Sequence, residues 1–480
     1  MVESKLAGLN PASVFSYFEE ICAIPHGSGN TKQISDYLVS FAKKQGLKYI
    51  QDEANNVILF QKGSQGYEDH APVILQGHMD MVCEKDEDCP LDMEKEGLDI
   101  THNGEFIYAN KTTLGGDDGI AVAYILALLA DTTIAHPPIE AIITVDEEIG
   151  MLGADVIDLS MLGGRTLVNI DSEEEGVFTV SCAGGATATI TLPAPRHAVY
   201  GPCIRLVVDG LQGGHSGVEI HKNRANANKV MGELLSRVQQ IMPVCLTSFS
   251  GGAKDNAIPR SCQATMVMLG MYPERINEIT EELQAQIRKE YDEPNAVVFG
   301  ENIDALGGNA LSTETSATIT ALLCASPNGV QKMSSDVPGL VQTSLNMGIA
   351  KLDEEMLCTF SVRSSVDAEK EELLVKLKEL AQFHGARYSQ MGDYPAWEYR
   401  QSSPLRDTMV EIYRKMFGQE PVVTAIHAGL ECGLLGKKLP GLDCVSIGPQ
   451  MYDIHTSRER LNIDSVGRTW EFIKEILKTL

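Results

Sequence analysis

At 480 residues the chain exceeds a single compact core, since domains usually run ~100–200 residues, so two or three units are expected. With 43% hydrophobic and 22% charged residues it has ordinary globular composition, which excludes long disorder and fibrous repeats. A formal charge of −27 repels phosphate backbones and anionic lipid, so neither nucleic acid nor a membrane surface is an expected partner, while carboxylates become plentiful as metal ligands. The longest wholly apolar run, residues 120–130, is eleven residues and too short to cross a bilayer. The start, Met1-Val2-Glu3-Ser4-Lys5, lacks the basic-then-apolar order of a secretion signal. Eleven cysteines, scattered from Cys22, Cys83, Cys89 and Cys182 to Cys444 with no C-x-x-C pair, fit neither a zinc ribbon nor a disulfide framework. Reduced, mostly buried thiols and a cytoplasmic location are expected.

In chain order, the apolar run 72–76 predicts a strand emerging at His78. A helix is expected over residues 118–130, with an apolar face wide enough for near-complete burial. Strands over 139–145 and 166–170 end in Asp146-Glu147-Glu148 and at Asp171. Ligands of open α/β sheets collect at the carboxyl edge of the strands. Three strands that deliver histidine or acids to one rim are therefore the first functional signal. Beyond about residue 185, strands over 203–208 and 356–362 alternate with amphipathic helices over 226–240, 275–289 and 369–383. This pattern reads as an α+β insert with two similar βαβ-type halves, although no internal repeat is visible. Near residue 400 the α/β pattern resumes with a helix over 405–416, a strand over 442–447 and a C-terminal helix over 465–480. One domain interrupted by another is expected: residues 1–185 with 400–480, and residues 186–399.

The motifs carry the chemistry. In His78-Met79-Asp80 a ligating histidine would have its second ring nitrogen held by a carboxylate, as such ligands require; a surface loop is the plainer alternative. Gly115-Gly116-Asp117-Asp118-Gly119 opens a helix, and an aspartate N-cap explains one of the adjacent acids but not both. Gly27-Ser28-Gly29-Asn30 invites a dinucleotide reading but lacks the third glycine and a clear preceding strand, so a capped helix start is preferred. Asp146-Glu147-Glu148 sets three carboxylates together, which repel unless cations neutralise them or water surrounds them. Asp171 precedes Ser172 and three glutamates, and His455 lies in Tyr452-Asp453-Ile454-His455-Thr456 after the last strand. Two histidines and several carboxylates leaving strand ends suit a two-metal site of nitrogen and oxygen ligands. The acidic run Glu84-Lys85-Asp86-Glu87-Asp88 reads as a solvated face.

The ordered set His78-x-Asp80, Gly116-Asp117-Asp118-Gly119, Glu147-Glu148-x-Gly150, Asn169-x-Asp171 and His455 resembles the co-catalytic zinc peptidase family that includes carboxypeptidase G, aminoacylase-1 and peptidase V. The resemblance covers essentially the whole chain. It implies an α/β catalytic domain, a mixed sheet with helices on both faces, interrupted by an α+β lid of ferredoxin-like character. It further implies two Zn2+ per chain, with Co2+ or Mn2+ as chemically acceptable substitutes. His78 and Asp171 would hold one ion, Glu148 and His455 the other, and Asp117 would bridge them. Asp80 would orient His78, Glu147 would be the general base on the attacking water, and the Asp117–Asp118 peptide would be cis.

In the lid, His215 within Gly213-Gly214-His215-Ser216-Gly217 resembles a donor to the tetrahedral oxyanion. Asn256 resembles a substrate contact, and Arg363 resembles the arginine that pairs with the substrate carboxylate. A glycine turn, a turn asparagine and a surface ion pair are the plainer readings of these three. His427, in the catalytic half, is expected to line the pocket. The implied activity is hydrolysis of unmodified dipeptides, Xaa-His dipeptides such as carnosine among them, by a cytoplasmic homodimer. An N-acyl amino acid deacylase with the same metals, and a catalytically silent binding protein on this fold, are the alternatives.

Overall fold

A computed structural model of the chain describes residues 4–270 and 273–480; Met1-Val2-Glu3, part of the start read for a secretion signal, lies outside them. The described residues divide into two units. The first runs up to Ser181 and adds Tyr399–Ala425 and Leu430–Leu480; the second is Cys182–Glu398 with Ile426–Gly429. Among the described residues no helix is long and apolar enough to cross a membrane, and no disulfide forms, with Cys83 and Cys324 the exposed cysteines.

The first unit is built on an eight-stranded mixed sheet in the order Lys48–Gln51, Val57–Gln61, Ile139–Thr144, Val73–His78, Thr166–Asn169, Asp443–Ser446, Val177–Cys182, Val422–Ile426. Its middle is parallel, from Ile139–Thr144 through Val73–His78 and Thr166–Asn169 to Asp443–Ser446. Parallel strands are covered on both faces, which is why these segments read as unbroken apolar runs; Val73–His78 and Ile139–Thr144 are buried throughout. The register sets His78 opposite Thr144 and Gln76 opposite Asn169, so the ends that carry the acids finish level.

The helix Gly116–Ala130 is buried from Gly116 to Leu129, as its all-round apolar sequence requires. Tyr124 in it stacks on Trp470 with ring centroids 6.1 Å apart and donates to the Val466 carbonyl at 2.9 Å, seating the C-terminal helix Ile463–Thr479. A small four-stranded sheet, Met451–Tyr452, Arg460–Asn462, Phe106–Ala109 and Ile100–His102, was not legible in the sequence because its strands are only two to four residues long. The turn between its first two strands carries His455.

The second unit has its own apolar core and a fully antiparallel nine-stranded sheet. Along the main path the order is Val297–Leu311, Arg196–Asp209, Cys262–Met268, Val244–Gly251, Val341–Leu352, Glu355–Ser364, Gly184–Pro193, Arg387–Tyr394. Two βαββαβ motifs of the ferredoxin-like kind stand side by side in it. One is contiguous: Arg196–Asp209, helix Ala227–Gln239, Val244–Gly251, Cys262–Met268, helix Pro273–Glu290, Val297–Leu311. It is inserted into the other, which begins with Gly184–Pro193 and resumes with helix Thr313–Ala325, Val341–Leu352, Glu355–Ser364, helix Asp367–Phe383 and Arg387–Tyr394. Nesting explains why no tandem repeat is visible in the sequence. The chain returns to this unit at Ile426–Gly429, where Ala183 N–H donates to the carbonyls of Ile426 (3.2 Å) and Ala428 (3.0 Å). His427 thus belongs with the insert, a correction to its assignment to the catalytic half.

Close approach at Gly448 ties two strand ends together. Ser172 N–H donates to the Ile447 carbonyl at 3.2 Å, and a Cβ at Gly448 would overlap the Ser172 carbonyl oxygen, which the backbone cannot yield without moving Asp171. Gly448→Ala is therefore expected to destabilise the first unit by ~1–3 kcal/mol, the usual cost of forced overpacking. Urea unfolding followed by circular dichroism measures it.

Candidate metal centre

His78 closes its strand with a side chain 1% exposed. Its Nδ1 lies 3.0 Å from the Asp80 carbonyl oxygen, which can only accept, so Nδ1 carries a proton and Nε2 is the nitrogen that would ligate a metal. That Nε2 faces Asp117 Oδ1 at 3.2 Å and Asp171 Oδ1 at 3.5 Å. Facing two carboxylates, Nε2 is satisfied either by a proton of its own or by a cation held between them. Burial disfavours the charged ring, yet Asp117, Asp171 and Asp80 together hold the His78 pKa well above the ordinary value.

Asp117 looks both ways. Its Oδ1 is the oxygen near His78, and its Oδ2 is 3.1 Å from His455 Nε2, which also lies 2.8 Å from Glu148 Oε1. Asp117 and Glu148 push the His455 pKa up to about 11. The peptide between Asp117 and Asp118 is cis. Asp118 is turned into the sheet, where Oδ2 accepts the His78 N–H at 3.0 Å while the buried Oδ1 has no partner.

Asp80 is fully buried and does more than the sequence suggested. Its carboxylate accepts from Ser28 Oγ at 2.8 Å and from the main-chain N–H of Glu147 (3.1 Å) and Glu148 (3.4 Å). Asp80 thereby orients His78, mainly through its main-chain carbonyl with Oδ1 3.4 Å from the same Nδ1, while its carboxylate fixes the turn that carries both glutamates. The Gly27-Ser28-Gly29-Asn30 turn supports this arrangement, with Gly29 N–H donating to Asp146 Oδ1 at 2.7 Å. Burial, with Asp171 nearby, keeps the Glu147 carboxyl well above the ordinary range against the pull of His78. Burial likewise pushes Asp171 up to about 6.

Ligand-capable atoms lie within 4.8 Å of one another in three groups: His78, Asp118 and Asp171; His78, Glu147 and Glu148; and Asp117, Glu148 and His455. The donor set is nitrogen and carboxylate oxygen, buried on the His78 side and half-exposed at His455, with negative charge in excess and an orphaned oxygen on Asp118. Divalent ions with N/O preference fit it.

The four remaining site residues expected from the sequence come together in the second unit. His215 Nδ1 accepts the N–H groups of Gly217 (3.1 Å) and Val218 (3.2 Å), so its proton sits on Nε2, which is a donor. The pairing of Gly214–His215 with Ala257–Ile258 brings the exposed Asn256 alongside, its carbonyl accepting from Ser216 N–H at 2.8 Å. Arg363 donates through Nη1 to Tyr394 Oη at 3.2 Å, and its buried Nε has no partner. His427 Nε2 is 2.7 Å from Ser344 Oγ, and Ser344 lies opposite Arg363 in the sheet. Burial and then Arg363 lower both histidines, His427 to about 3.

Residues 74–479 match the description "Peptidase family M20/M25/M40". The chain is also 36% identical over 484 residues to the cytosol non-specific dipeptidase of Escherichia coli, covering 99% of each chain. The chain belongs to peptidase family M20/M25/M40. As a member of the M20/M25/M40 family it is a metallopeptidase. The crystal structure of aminoacylhistidine dipeptidase from Vibrio alginolyticus superimposes with a TM-score of 0.93 at 34% identity, covering 100% of this chain and 98% of that one. Human carnosine dipeptidase 1, 12% identical with a TM-score of 0.51 over 97% of this chain and 95% of its own, shares the fold.

Beneath the rim lies a polar layer that the sequence reasoning missed. Gln76 and Asn169 each stand two residues before a candidate ligand, hence on the same face of their strands. Asn169 Nδ2 donates to Gln76 Oε1 at 2.5 Å, Gln76 Nε2 donates to Glu431 Oε2, and Thr144 Oγ1 donates to the same oxygen at 2.6 Å. Polar residues inside apolar strands were the available signal for two members; nothing local marked Glu431. Glu431 is fully buried with Oε1 unpartnered, and burial pushes its pKa up to about 8.

The folded chain therefore keeps this proton up to about pH 8, while the unfolded chain releases it near 4.5. Between those values the native state binds more protons, so this group makes stability fall as pH rises, by at most ~1.4 kcal/mol per unit. Glu431→Gln mimics the neutral acid and should flatten that slope. In metal-free protein the variant's urea midpoint is expected to gain on the parent's between pH 5 and pH 8; parallel pH profiles would contradict the assignment.

Proposed function

We propose that this chain hydrolyses unmodified dipeptides, Xaa-His dipeptides such as carnosine among them, with two Zn2+ per chain, as a cytoplasmic homodimer. The observation that carries the reading is the split engagement of Asp117, one carboxylate oxygen toward His78 and the other toward His455 at 3.2 and 3.1 Å. In this reading His78 and Asp171 hold one ion, Glu148 and His455 the other, and Asp117 both. Ions so placed supply Lewis acidity to the scissile carbonyl and make the attacking water acidic. Co2+ or Mn2+ would serve the same ligands. The names of the Escherichia coli and Vibrio alginolyticus relatives support the substrate class, and the former supports the cytosolic location.

Glu147 then takes the proton from the attacking water and returns it to the amine nitrogen as the C–N bond breaks. Burial raises its pKa in the metal-free chain; cations held by the neighbouring ligands would lower it again and leave the carboxylate that a base requires. Asp80 keeps His78 in the ligating tautomer. In the insert, His215 donates Nε2–H to the oxyanion, Arg363 pairs with the substrate's terminal carboxylate, and Asn256 and His427 line the substrate's place.

The substrate reading is tested by turnover of alanyl-histidine against N-acetyl-histidine with added zinc. Cleavage of the first with little of the second is expected; the reverse would make the chain a deacylase. Exhaustive chelation should abolish activity and zinc should restore it, so full activity in metal-free protein would sink the metal assignment.

The two adjacent glutamates separate in a second experiment. Glu147→Gln should keep both ions and lose kcat by a factor of ~10²–10⁴, the usual contribution of a general base. Glu148→Gln should lose one ion, because a neutral amide is a poorer ligand. Metal stoichiometry and kcat measured side by side decide it, and the opposite pattern would exchange the two roles.

A further inference from the structure

Four residues after His455, Glu459 is 3% exposed and its carboxylate lies in a cradle of main-chain N–H groups. Oε2 accepts from Leu114 (2.8 Å) and Gly115 (3.1 Å), and Oε1 accepts from Gly116 (2.7 Å) and Asp117 (3.3 Å). The cradle forms because Gly115 adopts φ 67°, which turns successive N–H groups to one side where the helix Gly116–Ala130 begins. It leaves little room for a side chain at either glycine. A Cβ at Gly115 would stand 2.7 Å from Met81 Sδ, and one at Gly116 would stand 3.1 Å from Glu459 Oε1. The other end is anchored too: Glu459 N–H donates to the Thr456 carbonyl at 3.1 Å, and the next residues, Arg460–Asn462, pair with Phe106–Ala109.

A capping carboxylate satisfies orphan donors at any helix start. What distinguishes Glu459 is where its two ends lie. One end holds the N–H of Asp117 itself, and the other lies in the turn that presents His455. His78 stands on a buried strand and Asp171 directly after one. Asp117 and His455 stand on turns, and the His455 side chain is 45% exposed with φ 60°. Without a tie the separation of these two would drift.

We propose that Glu459 is the positioning residue of the Asp117–Glu148–His455 metal site, holding Asp117 and His455 at the spacing that lets both bind one ion. The inference rests on the metal reading given above. It assigns Glu459 no contact with substrate. Two of the three ligands in that group depend on the clamp, whereas the group containing His78 and Asp171 depends on it through Asp117 alone. Loss of Glu459 should therefore weaken the two sites unequally.

The experiment is calorimetric zinc titration of the metal-free full chain, parent beside Glu459→Gln. The amide keeps the shape but turns an NH2 toward two N–H donors. One ion should bind as in the parent and the second 10–100-fold more weakly, the range for residues that orient metal ligands. Activity at limiting zinc should fall and recover with excess zinc, with KM within about twofold, as a defect in metal positioning rather than substrate binding requires. Two ions bound as tightly as in the parent would overturn the proposal, and so would equal weakening of both, which marks a general structural role. Should Glu459→Gln fail to fold, Gly116→Ala, which presses on Glu459 Oε1, must give the same unequal loss, and an equal loss or none overturns the proposal there as well. A parent chain that binds no zinc would instead overturn the metal reading itself, and this inference with it.

Discussion

Carboxylates crowd the rim of the first unit: Asp80, Asp117, Asp118, Glu147, Glu148 and Asp171 surround two imidazoles. A buried unpaired charge costs several kcal/mol, so such a cluster persists only if protons or cations neutralise it. Protons do part of that work in the absence of metal. Burial and mutual repulsion raise Asp118, Glu147 and Asp171, and the carboxylates in turn raise His78 and His455. Each proton held this way stands where a divalent ion would place its charge. Metal uptake at such a site must release protons, and acid must compete with metal for the same ligands.

The surrounding architecture follows from that constraint. Ligands that repel one another need supports stiffer than their repulsion, and level parallel strand ends supply them for His78 and Asp171. Turn-borne acids need ties instead. Asp80 holds the Glu147–Glu148 turn through two N–H groups, and Glu459 holds the Asp117 turn through four. Asp80 adds negative charge to the region it stabilises, whereas burial and Asp117 push Glu459 up to about 7, so its charge is partial near neutrality. That charge is tolerable because it is spent on main-chain donors rather than left facing the ligands.

The fold was legible where periodicity is strong. Strands buried on both faces and the apolar helix Gly116–Ala130 announce themselves, and acids at strand ends mark the rim without further information. The insert was legible as α+β with two similar halves of ferredoxin-like character, but the nesting of one half inside the other was not. Its strand Val297–Leu311 lies at the sheet edge with most side chains exposed, and so carries little pattern. His427 was assigned to the wrong unit because only Ile426–Gly429 crosses back, too short a stretch for composition to register. Glu431 and Glu459 escaped for a different reason. Their partners lie 287 or more residues away in sequence, so nothing near either glutamate distinguishes it from a solvated acid.

The two units use histidine in opposite electrostatic settings. In the first, neighbouring carboxylates raise His78 and His455, which makes those rings competitors for protons that a metal must displace. In the second, burial and Arg363 lower His215 and His427, and His215 has both backbone donors on Nδ1. Lowering the pKa favours the neutral imidazole, whose Nε2–H is then the donor. Arg363 is charged throughout the physiological range. Both histidines of the second unit are thus biased toward the neutral ring, whereas those of the rim are biased toward the charged one. The titration of the enzyme's own groups in that range is therefore concentrated at the rim, where protons and metal contend for the same ligands.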